Sequence, residues 1–251
     1  MKSKFRFLEI DVLRGIAVIM MIVFHFFFDL DFFGVRSFNL DKVFWFIFAR
    51  TIAIIFIFLV GLCLTISYAR AKTEGKACFK KYLLRGVKII LLGLCITAIT
   101  FITFPEWTIY FGILHFIGLS IILAYPFLTL KSARAMIFII ILALFFLLFG
   151  IFLNKISLNF PYLLWLGLEP KTFYTFDYFP LFPWFGVVLI GIFSGHLLYK
   201  GGERQFKIQI GIGKIFAWPL SGLAFLGRHS LIIYLLHQPI LSLLILTMRV
   251  F

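Results

Sequence analysis

Acidic residues are scarce in this chain, with 10 Asp and Glu among 251 residues, and all charged types together reach only 14%. A soluble domain of this length needs a charged coat, so the shortage argues against one. Cysteine is also rare. Cys63 and Cys95 fall inside apolar runs and Cys78 in a basic loop, so no disulfide framework is expected. There is no internal repeat and no low-complexity tract, and the missing repeat speaks against the repeat-built architecture of many transporters. Lys2, Lys4 and Arg6 open the chain as a signal peptide would. No small-residue cleavage site follows, however, and the apolar run behind them carries His25 and Asp29. The segment is expected to stay as an anchor.

What the chain has in abundance is apolar bulk: 63% hydrophobic residues, 36 of them phenylalanine. Windows long enough to cross a bilayer, about 17–25 residues, fall near 10–32, 44–68, 83–104, 109–130, 135–153, 182–199 and 222–247. Residues 205–220, with Gly211, Gly213, Lys214 and Trp218-Pro219, suit an interfacial or re-entrant piece better than a span. The expected fold is all-α, a polytopic transmembrane helix bundle of about seven spans (eight if 205–220 also crosses). Residues 1–251 form one integral membrane domain in this reading, multi-pass in the cell membrane.

The net charge of +14 looks at first like a nucleic-acid signal, but its distribution says otherwise. With the N-terminus in the cytoplasm, sixteen Lys and Arg fall on the inner loops and helix ends and five on the outer ones. That bias orients the bundle N-inside and C-outside. The charge is then a topology signal, and no nucleic-acid partner is expected.

Function begins with the first span. Asp11, Arg14, His25 and Asp29 sit on an otherwise apolar helix, and at ~100° per residue they project within a sector of roughly 60°. Ionisable groups facing lipid cost several kcal/mol, so the stripe must face protein or a water-filled cavity. His25 and Asp29, at i and i+4, are neighbours on that face. A carboxylate beside an imidazole can orient it as a general base. Fifteen residues beyond Ile10, His25 lies ~23 Å across, in the outer half of the membrane.

Other candidates sort by depth. Arg50, His115, Asp177, Tyr234 and His237 lie deeper or toward the outside, where an acceptor would enter. Arg50 is placed to pair with Asp29 or Asp177. Arg14, Arg85, Lys88, Arg228 and His229 lie toward the cytoplasm and can bind phosphates; for Lys88, anchoring to lipid headgroups is an equal alternative. A polyanionic donor such as acyl-coenzyme A can lodge its head there while its thioester reaches the histidine. No metal is expected.

Several motifs resemble one family. Ile10-Asp-x-x-Arg-Gly15 with His25-x-x-x-Asp-Leu30, Gly112-Ile-Leu-His115, Asp177-Tyr-Phe-Pro-Leu-Phe-Pro-Trp184, and Gly227-Arg-His-Ser-Leu through His237-Gln-Pro239 are similar to the catalytic domain of heparan-α-glucosaminide N-acetyltransferase, within the transmembrane acyltransferase superfamily. The resemblance runs from end to end. It implies transfer of an acyl group, usually acetyl, from cytoplasmic acyl-coenzyme A to a sugar hydroxyl or amine across the membrane. His25 would be the family's histidine and Asp29 its partner. With so little chain outside the membrane, a cell-envelope glycan or glycolipid is the expected acceptor. His25 can act as a base for direct transfer or carry the acyl group covalently. Two other classes stay open: a transporter or flippase for an anionic solute or lipid-linked sugar, and a haem protein using the five histidines as axial ligands.

Overall fold

The computed structural model describes residues 6–40, 42–153, 155–158, 162–207 and 214–250. Lys2, Lys4, Pro161, Gly211 and Gly213 lie outside the described residues, as do the side chains of Lys214 and Arg249. Eight α-helices follow one another: α1 (Leu8–Phe32), α2 (Val43–Thr73), α3 (Phe79–Thr103), α4 (Ile113–Thr129), α5 (Ala133–Leu153), α6 (Leu181–Leu198), α7 (Lys214–Arg228) and α8 (Ser230–Val250). A two-residue parallel pairing, β1 (Ser157–Leu158) with β2 (Glu169–Pro170), is the extended structure among the described residues.

Among the described residues six helices, α1, α2, α3, α5, α6 and α8, are long and apolar enough to cross a membrane. The 17-residue α4 is apolar but shorter, spanning ~26 Å at 1.5 Å per residue. The chain is a multi-pass helical membrane protein. Its outward surface is aliphatic and aromatic, with Ile102, Leu148, Ile141 and Leu243 exposed. Helices in such a setting gain nothing from hiding apolar surface from lipid, so they associate through small residues and polar contacts.

The last window needs correction. Residues 222–247 read as one span, yet the chain divides at His229, between α7 and α8. Apolar content marks where a helix can sit and says nothing about its direction. The two halves of the window run oppositely relative to α1, as their contacts show. Pro239, expected to bend the last span, lies within a single helix.

The chain folds as two compact units, residues 1–56 with 208–251, and residues 57–207. In the first, α7 lies antiparallel to α1. A side chain at Gly15 would strike the Leu223 carbonyl, and one at Gly227 the Asp11 carbonyl, so both glycines permit backbone contact. The start of α2 folds back on α1, with Trp45 and Phe27 rings 5.2 Å apart. α8 runs parallel to α1, placing His237 beside His25 and Ser242 beside Asp29. In the second unit, α3 and α4 meet at Gly86 and Gly118, each against the other's carbonyl oxygen. The later turns of α2 touch α6, where Thr65 Oγ1 donates to Gly61 and Ile192 oxygens at 3.1 and 3.4 Å.

Candidate functional site

The polar stripe of α1 faces protein. Asp11, Gly15, Val18 and Asp29 are buried along it, while Leu13, Ile16, Ile19 and Val23 on the opposite side are exposed. Near its N-terminal end Arg14 Nη1 lies 3.3 Å from Asp11 Oδ1 and donates to the Gly227 carbonyl at 3.4 Å. That carbonyl belongs to the last turn of α7, the negative end of its dipole, where a cation is favoured. Arg14 therefore ties α7 to α1.

Farther along, α1 and α8 assemble four polar residues. His25 Nδ1 lies 2.8 Å from the Met21 carbonyl, and His237 Nδ1 lies 2.7 Å from that of Tyr234. A carbonyl oxygen only accepts, so each neutral ring carries its hydrogen on Nδ1 and its lone pair on Nε2. The two rings meet edge to face, with centroids 4.7 Å apart. Asp29 is 1% exposed, and Gln238 Nε2 donates to its Oδ1 at 2.6 Å. Ser242 Oγ donates to its Oδ2 at 3.4 Å. Both oxygens of Asp29 are thus engaged by α8, and among the described residues no hydrogen bond joins Asp29 to His25. Spacing places the two on one face, as expected; the carboxylate serves α8 and not the imidazole directly. Tyr234 is half-buried, its ring 5.7 Å from that of His237.

The sequence marks Gln238 only as the middle of the His237-Gln-Pro239 motif, with no role of its own, and does not mark Ser242. A glutamine next to a buried histidine in Tyr234-x-x-His-Gln238 was the available signal. Which carboxylate it would meet depended on α8 running parallel to α1.

In the second unit, Asp177 has a different job. Its Oδ2 accepts the Ile113 N–H at 2.8 Å, capping the first turn of α4 from a distant loop. Gly112 leaves the carboxylate its room. The loop is strapped alongside by Phe176 N–H to the Trp107 carbonyl and Phe179 N–H to that of Phe111. Burial pushes the Asp177 carboxyl up to about 7, against the pull of the Ile113 N–H. His115, on the same turn, is 5% exposed; its Nε2 lies 3.4 Å from Thr97 Oγ1 and its ring covers Gly93.

The remaining cations are spread out. Arg50 is exposed, its guanidinium 5.1 Å from the Phe46 ring centroid, while Asp29 and Asp177 have the partners just described. Arg85 is exposed on α3. Arg228 and His229 are exposed where α7 turns into α8. Arg228 Nε donates to the Ala224 carbonyl at 3.1 Å, and the His229 ring lies 4.3 Å from that of Phe225. An open depression of about 400 Å³ lies beside them, lined by Trp218, Gly222, Phe225 and Arg228.

The site thus consists of an imidazole with a basic Nε2 on a membrane helix, a second beside it, and cations at the end of α7. Comparisons with curated proteins and with solved structures returned no match. The family model for the catalytic region of heparan-alpha-glucosaminide N-acetyltransferase matches residues 6–239, taking in α1, the Asp177 loop and the His237-Gln238 pair. The chain belongs to this family of membrane acetyltransferases.

Proposed function

We propose that the protein moves an acyl group, in the first instance acetyl, from cytoplasmic acyl-coenzyme A to a hydroxyl or amine of a sugar in a cell-envelope glycan or glycolipid. The observation that carries this reading is the Nδ1 contact of His25 with the Met21 carbonyl, which leaves Nε2 as the basic atom. His25 Nε2 takes the proton of the attacking oxygen or nitrogen as the new bond to the thioester carbon forms. The carbon–sulfur bond then breaks, and the imidazolium returns the proton to the departing sulfur. Asp29 contributes by holding Gln238 and Ser242, and so fixing α8 against α1.

Arg228 and His229 are exposed and suited to coenzyme A phosphates, with Arg85, exposed on α3, as the separate alternative. Arg14 supports that region through its hold on the end of α7. Tyr234 and His237 receive the acceptor beside His25. Direct transfer is the favoured route because one base suffices for it. Ping-pong kinetics would mark the covalent route instead. The test is acetyl transfer or acetyl-coenzyme A hydrolysis by purified protein, as a rate per folded molecule, with His25→Ala alongside. Loss of ~10²–10⁴-fold in rate fits a general base. Normal turnover by folded His25→Ala protein would end this reading.

A further inference from the structure

On α8 beside His25, two buried hydrogen-bond acceptors have no partner among the described residues. His237 is 8% exposed, and its Nε2 is buried without a partner. Gln238 turns its amide nitrogen to Asp29, so its Oε1 points elsewhere, and that oxygen is also buried without a partner. Leaving a buried acceptor unsatisfied is costly, and two adjacent ones call for a group that brings hydrogens. The Nδ1 bond to the Tyr234 carbonyl prevents the His237 ring from offering a hydrogen at Nε2 while it is neutral.

We propose that His237 is a second substrate-contacting imidazole, whose Nε2 accepts a hydrogen bond from the acceptor group and which must be neutral while His25 takes the proton. The idea rests on the acyltransferase reading and adds a partner to its base. With ring centroids 4.7 Å apart in a buried setting, a charge on one imidazole opposes a charge on the other. The pair therefore holds at most one proton, and it must begin with none for His25 to receive one. The balance of the transfer is unchanged: the acceptor's proton goes to His25 Nε2 and then to sulfur, and His237 gains or loses none. Among the described residues, the titratable groups in contact with the pair or its α8 neighbour Gln238 include Asp29 on α1 and Tyr234 on α8. The Asp11–Arg14 pair lies toward the opposite end of α1.

The experiment compares wild type, His237→Gln and His237→Leu, measuring kcat and KM for the acceptor across pH and acyl-coenzyme A affinity separately. Glutamine keeps a neutral acceptor, whereas leucine has none. His237→Leu should lose about 10- to 100-fold in kcat/KM for the acceptor with acyl-coenzyme A affinity unchanged, and His237→Gln should recover most of it. In wild type the acid limb of log kcat/KM should have a slope of one, because a proton on either imidazole removes activity and the pair does not take up two. In His237→Gln the slope should stay at one and the limb should move to lower pH, because one of the two inactivating protonations is gone. A purely structural His237 predicts a lower folded yield for both variants, with normal turnover and an unaltered pH profile in what folds; that outcome overturns the proposal. Failure of the acyltransferase reading shows separately, as a folded His25→Ala variant that turns over normally.

Discussion

Gln238 on α8 donates a 2.6 Å hydrogen bond to Asp29 on α1, across 209 positions of sequence. The carboxylate is 1% exposed, and its oxygens accept from the amide of Gln238 and the hydroxyl of Ser242. A buried carboxyl group costs several kcal/mol unless its oxygens are satisfied. This contact is therefore what makes Asp29 tolerable inside the bundle, and it sets the register that brings His237 to His25. Replacing Gln238 with Leu should lower stability by about 2–3 kcal/mol, read as thermal unfolding in detergent. Asp29→Asn keeps acceptor capacity toward Gln238 and should cost less than about 1 kcal/mol. Equal losses in the two variants would contradict the clamp.

Arg14 offers a contrast between binding and support. Its guanidinium is engaged by Asp11 and the Gly227 carbonyl, so Arg14→Ala should lower stability by about 1–3 kcal/mol. Arg228 is exposed beside the α7–α8 turn. Arg228→Ala should leave stability within about 0.5 kcal/mol and weaken acyl-coenzyme A binding by the loss of a charge-assisted contact, about 1.5–3 kcal/mol. Calorimetric titration beside thermal unfolding separates the two. Unchanged affinity in Arg228→Ala would move the phosphate site toward Arg85.

Backbone contact between α1 and α7 makes a prediction about glycines on one helix. A Cβ at Gly227 meets the Asp11 carbonyl, whereas one at Gly222 meets nothing within 4 Å. Gly227→Ala should destabilise by about 1–3 kcal/mol through overpacking. Gly222→Ala should be neutral or stabilising by up to about 1 kcal/mol, from helix propensity. Thermal unfolding of the two variants checks this, and equal behaviour would mean α7 does not rest on α1.

Asp177 predicts a pH dependence. Its folded-state carboxyl titrates at about 7, raised from 3.8 by burial. The folded protein therefore holds a proton there that the unfolded chain has already released between about pH 4 and 7. Stability from this group is fully present below pH 4 and is lost as pH rises through 7. Asp177→Asn keeps an oxygen for the Ile113 N–H and removes the titration. Its unfolding temperature should be less sensitive across that window, and above pH 7 it should exceed wild type. Parallel curves for the two proteins would exclude Asp177 as the source.

Topology is the simplest measurement. A C-terminal reporter active only outside the cytoplasm should work, and one placed between Arg70 and Lys81 should not, given sixteen basic residues against five. The opposite pattern would reverse the faces assigned to donor and acceptor.

The sequence alone determined the class of the protein and the location of its main polar feature. Apolar runs must span or be buried, and a stripe holding Asp11, His25 and Asp29 cannot face lipid; both follow from solvation and need no knowledge of neighbours. The family was legible because its motifs are short runs of residues, one of them on the helix that carries that stripe. Tertiary structure decided which groups meet. Whether Asp29 would serve His25 or a residue 209 positions away depended on α8 running parallel to α1, and hydropathy is blind to helix direction. The same blindness merged the end of α7 with α8 across His229. Asp177 stood out as a lone carboxylate among aromatics, but its role as the cap of α4 arose only when the loop carrying it was strapped along residues 107–111. Local spacing reports one helix face at a time; a hydrogen bond between helices is set by their packing, which no single segment encodes.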